Sequence, residues 1–226
     1  MTARASTRRP PVTQLGPVAQ LRAGRLGRRL SQLVVGLVLY GASLAMIIRA
    51  TLGNASWDVL HQGLARHLPM SIGTAVVLVS LLVLLAWIPL RETPGLGTLA
   101  NTAIIGPVAD LTLLVLPAPE AMVWRVVLLV LGVVLNAVAT ALYIGARFGP
   151  GPRDGLMTGL HRRTGLPVGV VRTALEVSVV AVGFVLGGVV GLGTVVYALA
   201  IGPLTQWLLP LSVVSLEVDR GGVEVR

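Results

Sequence analysis

Gly95-Leu-Gly-Thr98, followed by Ile105-Gly-Pro107, is written a second time as Gly191-Leu-Gly-Thr194 and Ile201-Gly-Pro203. The spacing is 96 residues, and it also pairs Asp58 with Asp154, Gly63 with Gly159 and Gly73 with Gly169 without a gap. Between 54–110 and 150–206, 15 of 57 positions are identical. A composition rich in Leu, Val and Gly gives roughly five by chance, so a duplication is the better explanation. The shared residues are mostly Gly, Pro and Asp, which shape backbone or carry charge. A unit of this length is half a protein rather than a solenoid repeat. In a membrane, a duplicated half points to a pseudo-symmetric, transporter-like body.

The composition places the chain in a membrane. Hydrophobic residues make up 54% and charged residues 12%, and mean hydropathy is +0.85. Soluble domains carry about 25% charged residues. Six segments are long and apolar enough to cross a hydrocarbon core: 30–50, 72–90, 98–116, 122–145, 168–189 and 194–213. They are separated by Gly53-Asn54, Pro94-Gly95, Pro117-Ala118-Pro119, the Gly149–Pro152 cluster and Gly187–Gly193. The expected fold is all-α: a polytopic membrane helix bundle of about six spans, built as two inverted three-span repeats with short interfacial or re-entrant helices. Pro107 and Pro203, each preceded by Gly, predict a kink or break inside the third and sixth spans. A five-span chain, in which 98–116 or 194–213 fails to cross, is the competing arrangement. The implied organisation is a disordered basic arm (1–29), repeat 1 (30–116), repeat 2 (122–213) and a short cytoplasmic tail (214–226).

The net charge of +9 comes with no lysine at all. In a soluble protein it would suggest nucleic acid; here the arginines flank apolar segments and set topology, and no nucleic-acid partner is expected. With the N-terminus in the cytoplasm, only Arg49, Arg66 and Arg125 fall outside, and Arg172 lies within a span. Both termini are therefore expected in the cytoplasm of a bacterial inner membrane. Three spans per copy is an odd number, so the second copy must enter inverted. The loops agree: 51–71 balances Asp58 against Arg66, whereas 147–167 sets Asp154 against Arg147, Arg153, Arg162 and Arg163.

Two loops carry the candidate chemistry. Gly53-Asn-Ala-Ser-Trp-Asp-Val-Leu-His-Gln-Gly-Leu-Ala-Arg-His67 and Gly149-Pro-Gly-Pro-Arg-Asp-Gly-Leu-Met-Thr-Gly-Leu-His-Arg-Arg163 each read as a short helix. Ser56 suits the cap of the first, Pro152 the first turn of the second and Gly165 its end. Asp58 and Asp154 then lie in first turns, where the helix dipole favours a carboxylate. Either they only stabilise helix starts at the interface, or the helices dip inward and present the acids to a solute near the midplane, where paired interrupted segments build transport sites.

Residues 53–64, Ile-Pro-Leu-Arg-Glu-Thr-Pro-Gly-Leu-Gly-Thr (88–98) and Leu-Tyr-Ile-Gly-Ala-Arg-Phe-Gly-Pro-Gly-Pro-Arg-Asp-Gly-Leu-Met-Thr-Gly-Leu (142–160) resemble the YczE/YitT-like family of bacterial integral membrane proteins. The likeness runs from about residue 30 to 212. It implies a polytopic inner-membrane protein and leaves the activity open. On it, Trp57, Asp58, His61, Arg153, Asp154 and Gly155 stand at signature positions. Related YitT-type chains often carry a soluble C-terminal domain; 226 residues fit the membrane-only, YczE-type branch.

Other charges fall inside spans. Arg172 and Glu176 are four apart in the fifth span; each costs at least about 2.5 kcal/mol alone near a helix centre, so they should pair or face a polar interior. They are either a structural ion pair or part of a solute or proton path. Asp110, three residues past Pro107, is either a buried titrating acid or a solvated interfacial one. The expected solute or ion pathway thus comprises Trp57, Asp58, His61, Asp110, Arg153, Asp154, Arg172 and Glu176. Gly63, Gly97, Pro107, Gly159, Gly193 and Pro203 shape the backbone around it.

No cysteine is present, which excludes disulfides, thiolate metal sites and Cys nucleophiles. His61, His67 and His161 lack ligand-like clustering, so no metal and no cofactor is expected, and His61 reads as an interfacial polar residue. Trp57, Trp87, Trp124 and Trp207 fall near span ends and suggest an aromatic belt. The Gly-Leu-Gly-Thr runs lack a following Gly-Lys-Ser/Thr, which argues against nucleotide binding, and no hydrolase motif is present. The chain is expected not to be an enzyme. A small-solute or ion transporter or channel between two inverted repeats is the leading reading. The alternatives are a non-transporting scaffold or regulator and, third, a lipid-modifying intramembrane enzyme. The partners expected are the lipid bilayer and an unknown small solute or ion. Six spans are few for a transporter, which raises a homodimer as an arrangement.

Overall fold

The computed structural model describes residues 20–21 and 24–215; these fold into eight helices with no strand among them. The helices are α1 (Leu26–Ala50), α2 (Ser56–His67), α3 (Ile72–Leu90), α4 (Leu96–Val115), α5 (Met122–Gly145), α6 (Pro152–Thr164), α7 (Val168–Val185) and α8 (Leu192–Ser212). Six of them, all except α2 and α6, are long and apolar enough to cross a membrane. The protein is a polytopic helical membrane bundle. Most of the large hydrophobic residues exposed on its surface are Val, Leu and Ile.

The sequence boundaries need three corrections. Helix α1 begins at Leu26, so Arg28 and Arg29 are helical rather than part of a basic arm. Arg29 is fully buried, stacks 4.2 Å from the Phe148 ring centroid and donates to the carbonyls of Ala146 and Arg147 at the end of α5. A cation there offsets the negative end of the α5 dipole. Most of the 1–29 arm and of the 214–226 tail lies outside the described residues. Second, of the kink or break expected at Pro107 and Pro203, the break does not occur: α4 and α8 run on through both. Each proline removes one backbone donor, but breaking the helix in apolar surroundings would leave several groups unsatisfied. Third, Ser56 is the first residue of α2 and caps nothing; Ala55 holds the cap position.

Helices α1 and α5 pack against each other at the centre. Helix α4 lies on α1 and α8 on α5. The two short helices are exchanged between halves: α2 packs on α7, and α6 packs on α3. Hydrogen bonds fix the exchange. Gly97 N donates to Phe148 O and Gly193 N donates to Leu52 O, each at 2.7 Å, and these two bonds stand 96 residues apart at both ends. Positive φ angles recur at the same spacing: Thr51 and Arg147, Gly53 and Gly149, Arg91 and Gly187. Gly53 and Gly149 combine that conformation with backbone contact, Gly53 on Gly191 and Gly149 on Gly95, so each is required twice over. This packing accounts for the repeated Gly-Leu-Gly-Thr: each run starts a span that receives the other half's short-helix loop.

Residues that recur at the 96-residue spacing have matching contacts elsewhere too. Arg66 donates to Gly187 O past the end of α7, and Arg162 pairs with Glu92 past the end of α3. Gly63 abuts the Gly183 carbonyl of α7 and Leu186 just past its end, and Gly159 lies beside Leu90 and Glu92. At one exchanged contact the sizes are traded: Val59 sits against Gly183, while Gly155 makes room for Trp87.

Candidate functional site

The loops that deliver α2 and α6 point the first turns of both helices at each other. Pro152 at the first position of α6 needs no backbone partner there, and Gly165 closes the helix with φ 71°. Trp57 and Arg153, which occupy corresponding positions of the two helices, meet: the guanidinium lies 5.1 Å from the indole centroid. Between them and the spans is a cavity of about 300 Å³.

All eight helices line it, with Tyr40 on α1, Trp57 on α2, Ser80 on α3, Asn101 on α4, Tyr143 on α5, Arg153 and Asp154 on α6, Arg172 and Glu176 on α7, and Tyr197 and Thr205 on α8. Asp154 accepts from the Tyr143 hydroxyl at 2.8 Å. Asp58 is buried just behind the wall, 3.1 Å from His61 Nδ1 and 3.7 Å from the Arg153 guanidinium. Arg172 donates to Glu176 at 2.9 Å, the side chains are 52% and 34% exposed, and both residues line the cavity.

His61 is only 1% exposed, which corrects its reading as an interfacial residue. Burial lowers its affinity for a proton, and the hydrogen bond to Asp58 opposes that without reversing it. The imidazole therefore fits its place as a neutral partner that holds Asp58 while Arg153 supplies the countercharge.

The structure brings together Trp57, Asp58, His61, Arg153, Asp154, Arg172 and Glu176. It sets Asp110 apart. Asp110 Oδ1 accepts from Gly73 N at 2.8 Å and Oδ2 accepts from Ser71 Oγ, so this acid ties α4 to the start of α3. Gly63, Gly97, Gly159 and Gly193 lie at the exchanged packing contacts, and Pro107 and Pro203 lie within α4 and α8. The aromatic belt also needs correction. Trp124 and Trp207 are exposed, but Trp87 is buried, donating to Pro152 O at 3.0 Å, and Trp57 faces the cavity.

Sequence reasoning missed the tyrosines. The chain has three, and all of them line the cavity. Tyr40 and Tyr143 make an edge-on ring contact with centroids 6.3 Å apart. Tyr197 donates to Asn136 Oδ1 at 2.9 Å, and Asn136 Nδ2 donates to Ser43 Oγ at 2.8 Å, a polar chain across α8, α5 and α1. A signal was available: aromatic residues are only 4% of the chain, and its tyrosines all fall inside predicted spans. No cluster of His, Asp or Glu among the described residues is arranged to hold a metal. The arrangement suits binding through charge, hydroxyl and aromatic contact.

Three relatives share this sequence along most of its length. An uncharacterized protein of Haemophilus influenzae is 41% identical over 80% of this chain and 84% of its own. The uncharacterized membrane protein YczE of Bacillus subtilis is 32% identical over 79% and 84%. The uncharacterized protein YyaS of the same organism is 26% identical over 78% and 90%. No solved structure matches the chain at a significant level. Residues 27–210 match the family of unknown function DUF6198, so the chain belongs to that family and is a YczE-like membrane protein.

Proposed function

We propose that the protein is a small-solute or ion transporter or channel whose pathway runs through the cavity between two inverted repeats. The observation that carries this is the meeting of Trp57 and Arg153, corresponding residues of two non-spanning helices, on a cavity inside an apolar bundle whose lining includes charged and hydroxyl side chains. Short helices whose N-termini converge between two halves are the usual construction of a transport site. The inverted repeat is supported by the exchanged packing, the paired loop bonds at 2.7 Å and the recurrence of left-handed residues at one spacing. Charged groups within a bundle are costly unless they face one another or water, and Arg153, Asp154, Arg172 and Glu176 all do. In this reading the protein works without catalysis, in the inner membrane, with both termini cytoplasmic.

The test uses the cysteine-free chain. Ser56→Cys places one thiol on the cavity wall, and a small charged thiosulfonate reagent should modify it in folded protein from one face of the membrane. If that thiol stays unreactive from both faces, the cavity is dry and the pathway is wrong.

A further inference from the structure

The packing of the second span on the third differs between the two halves, and that difference reads as a gate. In the first half α3 packs on α4. Gly73 and Gly106 let the two backbones touch: a Cβ on either would overlap the carbonyl oxygen of the other. The corresponding residues of the second half, Gly169 and Gly202, have no neighbouring atom within 4 Å of a Cβ added to either. Helices α7 and α8 are not among the substantially packed pairs, and the cavity reaches between them, past Arg172 and Glu176 on one side and Thr205 and Gln206 on the other. Burial follows the same split. The most apolar stretches of α3 and α4 are 33% and 28% buried, those of α7 and α8 11% and 17%.

The closed half also has a latch that the open half lacks. Asp110 binds Ser71 and the Gly73 amide. Its counterpart is Gln206, and the counterpart of Ser71 is Pro167, which has no hydroxyl. Small residues at corresponding places are used for close helix contact on one side and left vacant on the other. A lone stripe of glycines would say little; here the same chain shows the contact those glycines make.

We propose that the protein alternates between this state and its counterpart, in which α7 closes on α8 through Gly169 and Gly202 while the Asp110 latch releases and α3 parts from α4. The inference rests on the inverted-repeat transport reading and adds the moving parts to it. With the N-terminus cytoplasmic, the latched gate faces outward and the open gate faces the cytoplasm. Arg172 and Glu176 stand where Val76 and Ser80 stand in the closed half, so closure encloses them as a ready-made pair. Each gate excludes the other, because the cavity walls are shared.

Two measurements test it without knowledge of the solute. Gly169→Cys/Gly202→Cys should form an intramolecular disulfide under mild oxidation in native membranes, which requires Cα atoms within about 7 Å. No disulfide, or one joining two chains, overturns the proposal; the latter would make the vacant face a contact between copies. The second measurement does not depend on that double variant folding. Ala109 is fully buried beside the latch and corresponds to cavity-lining Thr205, so Ala109→Cys should react slowly with a membrane-impermeant maleimide. Adding Asp110→Ala should raise its labelling several-fold, and adding Gly202→Phe, which obstructs the other gate, should return it to the slow rate. Fast labelling that persists with Gly202→Phe means local loosening and overturns the coupled gate. Ser56→Cys reactivity in the same membranes shows separately whether the wet cavity exists.

Discussion

Trp57 and Arg153 hold corresponding positions in the two halves and lie in contact, the guanidinium 5.1 Å from the indole centroid. Cation–aromatic contacts contribute about 0.5–2 kcal/mol, more when water is excluded. A double-mutant cycle between Trp57→Ala and Arg153→Ala should therefore give a coupling of about 1 kcal/mol in detergent unfolding. Strictly additive losses would mean that the two short helices are positioned independently.

Gly155 faces the Trp87 indole so closely that a Cβ would overlap the ring. Gly155→Ala should lower stability by about 1–3 kcal/mol through overpacking. Trp87→Leu in the same chain should recover part of that loss, although it forfeits the bond to Pro152 O. Equal stability of Gly155→Ala and the parent, read by thermal unfolding, would contradict the α3–α6 contact.

His61 is held in its neutral form by burial, so its proton affinity is lower folded than unfolded. As pH falls below the ordinary histidine value of about 6.5, the unfolded chain binds the proton first. Stability should then fall as pH drops from neutral through that value, and His61→Gln should flatten that slope. Asp58 and Arg153 are the charged groups beside it and remain in both proteins. An unchanged slope in His61→Gln would show that other groups carry the acid sensitivity.

Arg172 and Glu176 form a half-exposed pair four residues apart on α7. Such pairs contribute about 0.3–0.5 kcal/mol. Arg172→Gln and Glu176→Gln should each leave the melting temperature nearly unchanged. In the background of Ser56→Cys, they should shift the relative rates with positively and negatively charged thiosulfonates in opposite directions. A large stability loss would make the pair structural instead.

Much of the bundle was legible in the sequence, because runs of apolar residues punctuated by Gly and Pro mark spans by local chemistry alone. The short helices were legible for the same reason: Pro152 and Gly165 stop and start backbone regardless of what surrounds them. The exchange of α2 and α6 was not. It depends on contacts between segments far apart, and periodicity says only that a face is apolar, not which partner covers it. Asp110 shows the limit well. Its neighbours in sequence suggested a buried or a solvated acid, whereas its partners Ser71 and Gly73 lie on another helix. Trp87 was misplaced in the same way, since an indole near a span end suits the interface until Gly155 supplies a slot for it.

The inverted repeat is the claim on which the pathway and the gate both stand. His67 and Arg163 correspond, are exposed, and sit near the far ends of the two short helices, clear of the cavity. Single cysteines at these two positions should be labelled by a membrane-impermeant maleimide from opposite faces: His67→Cys in intact cells and Arg163→Cys in inverted vesicles. Labelling of both from the same face would contradict the inverted arrangement and the transport reading with it.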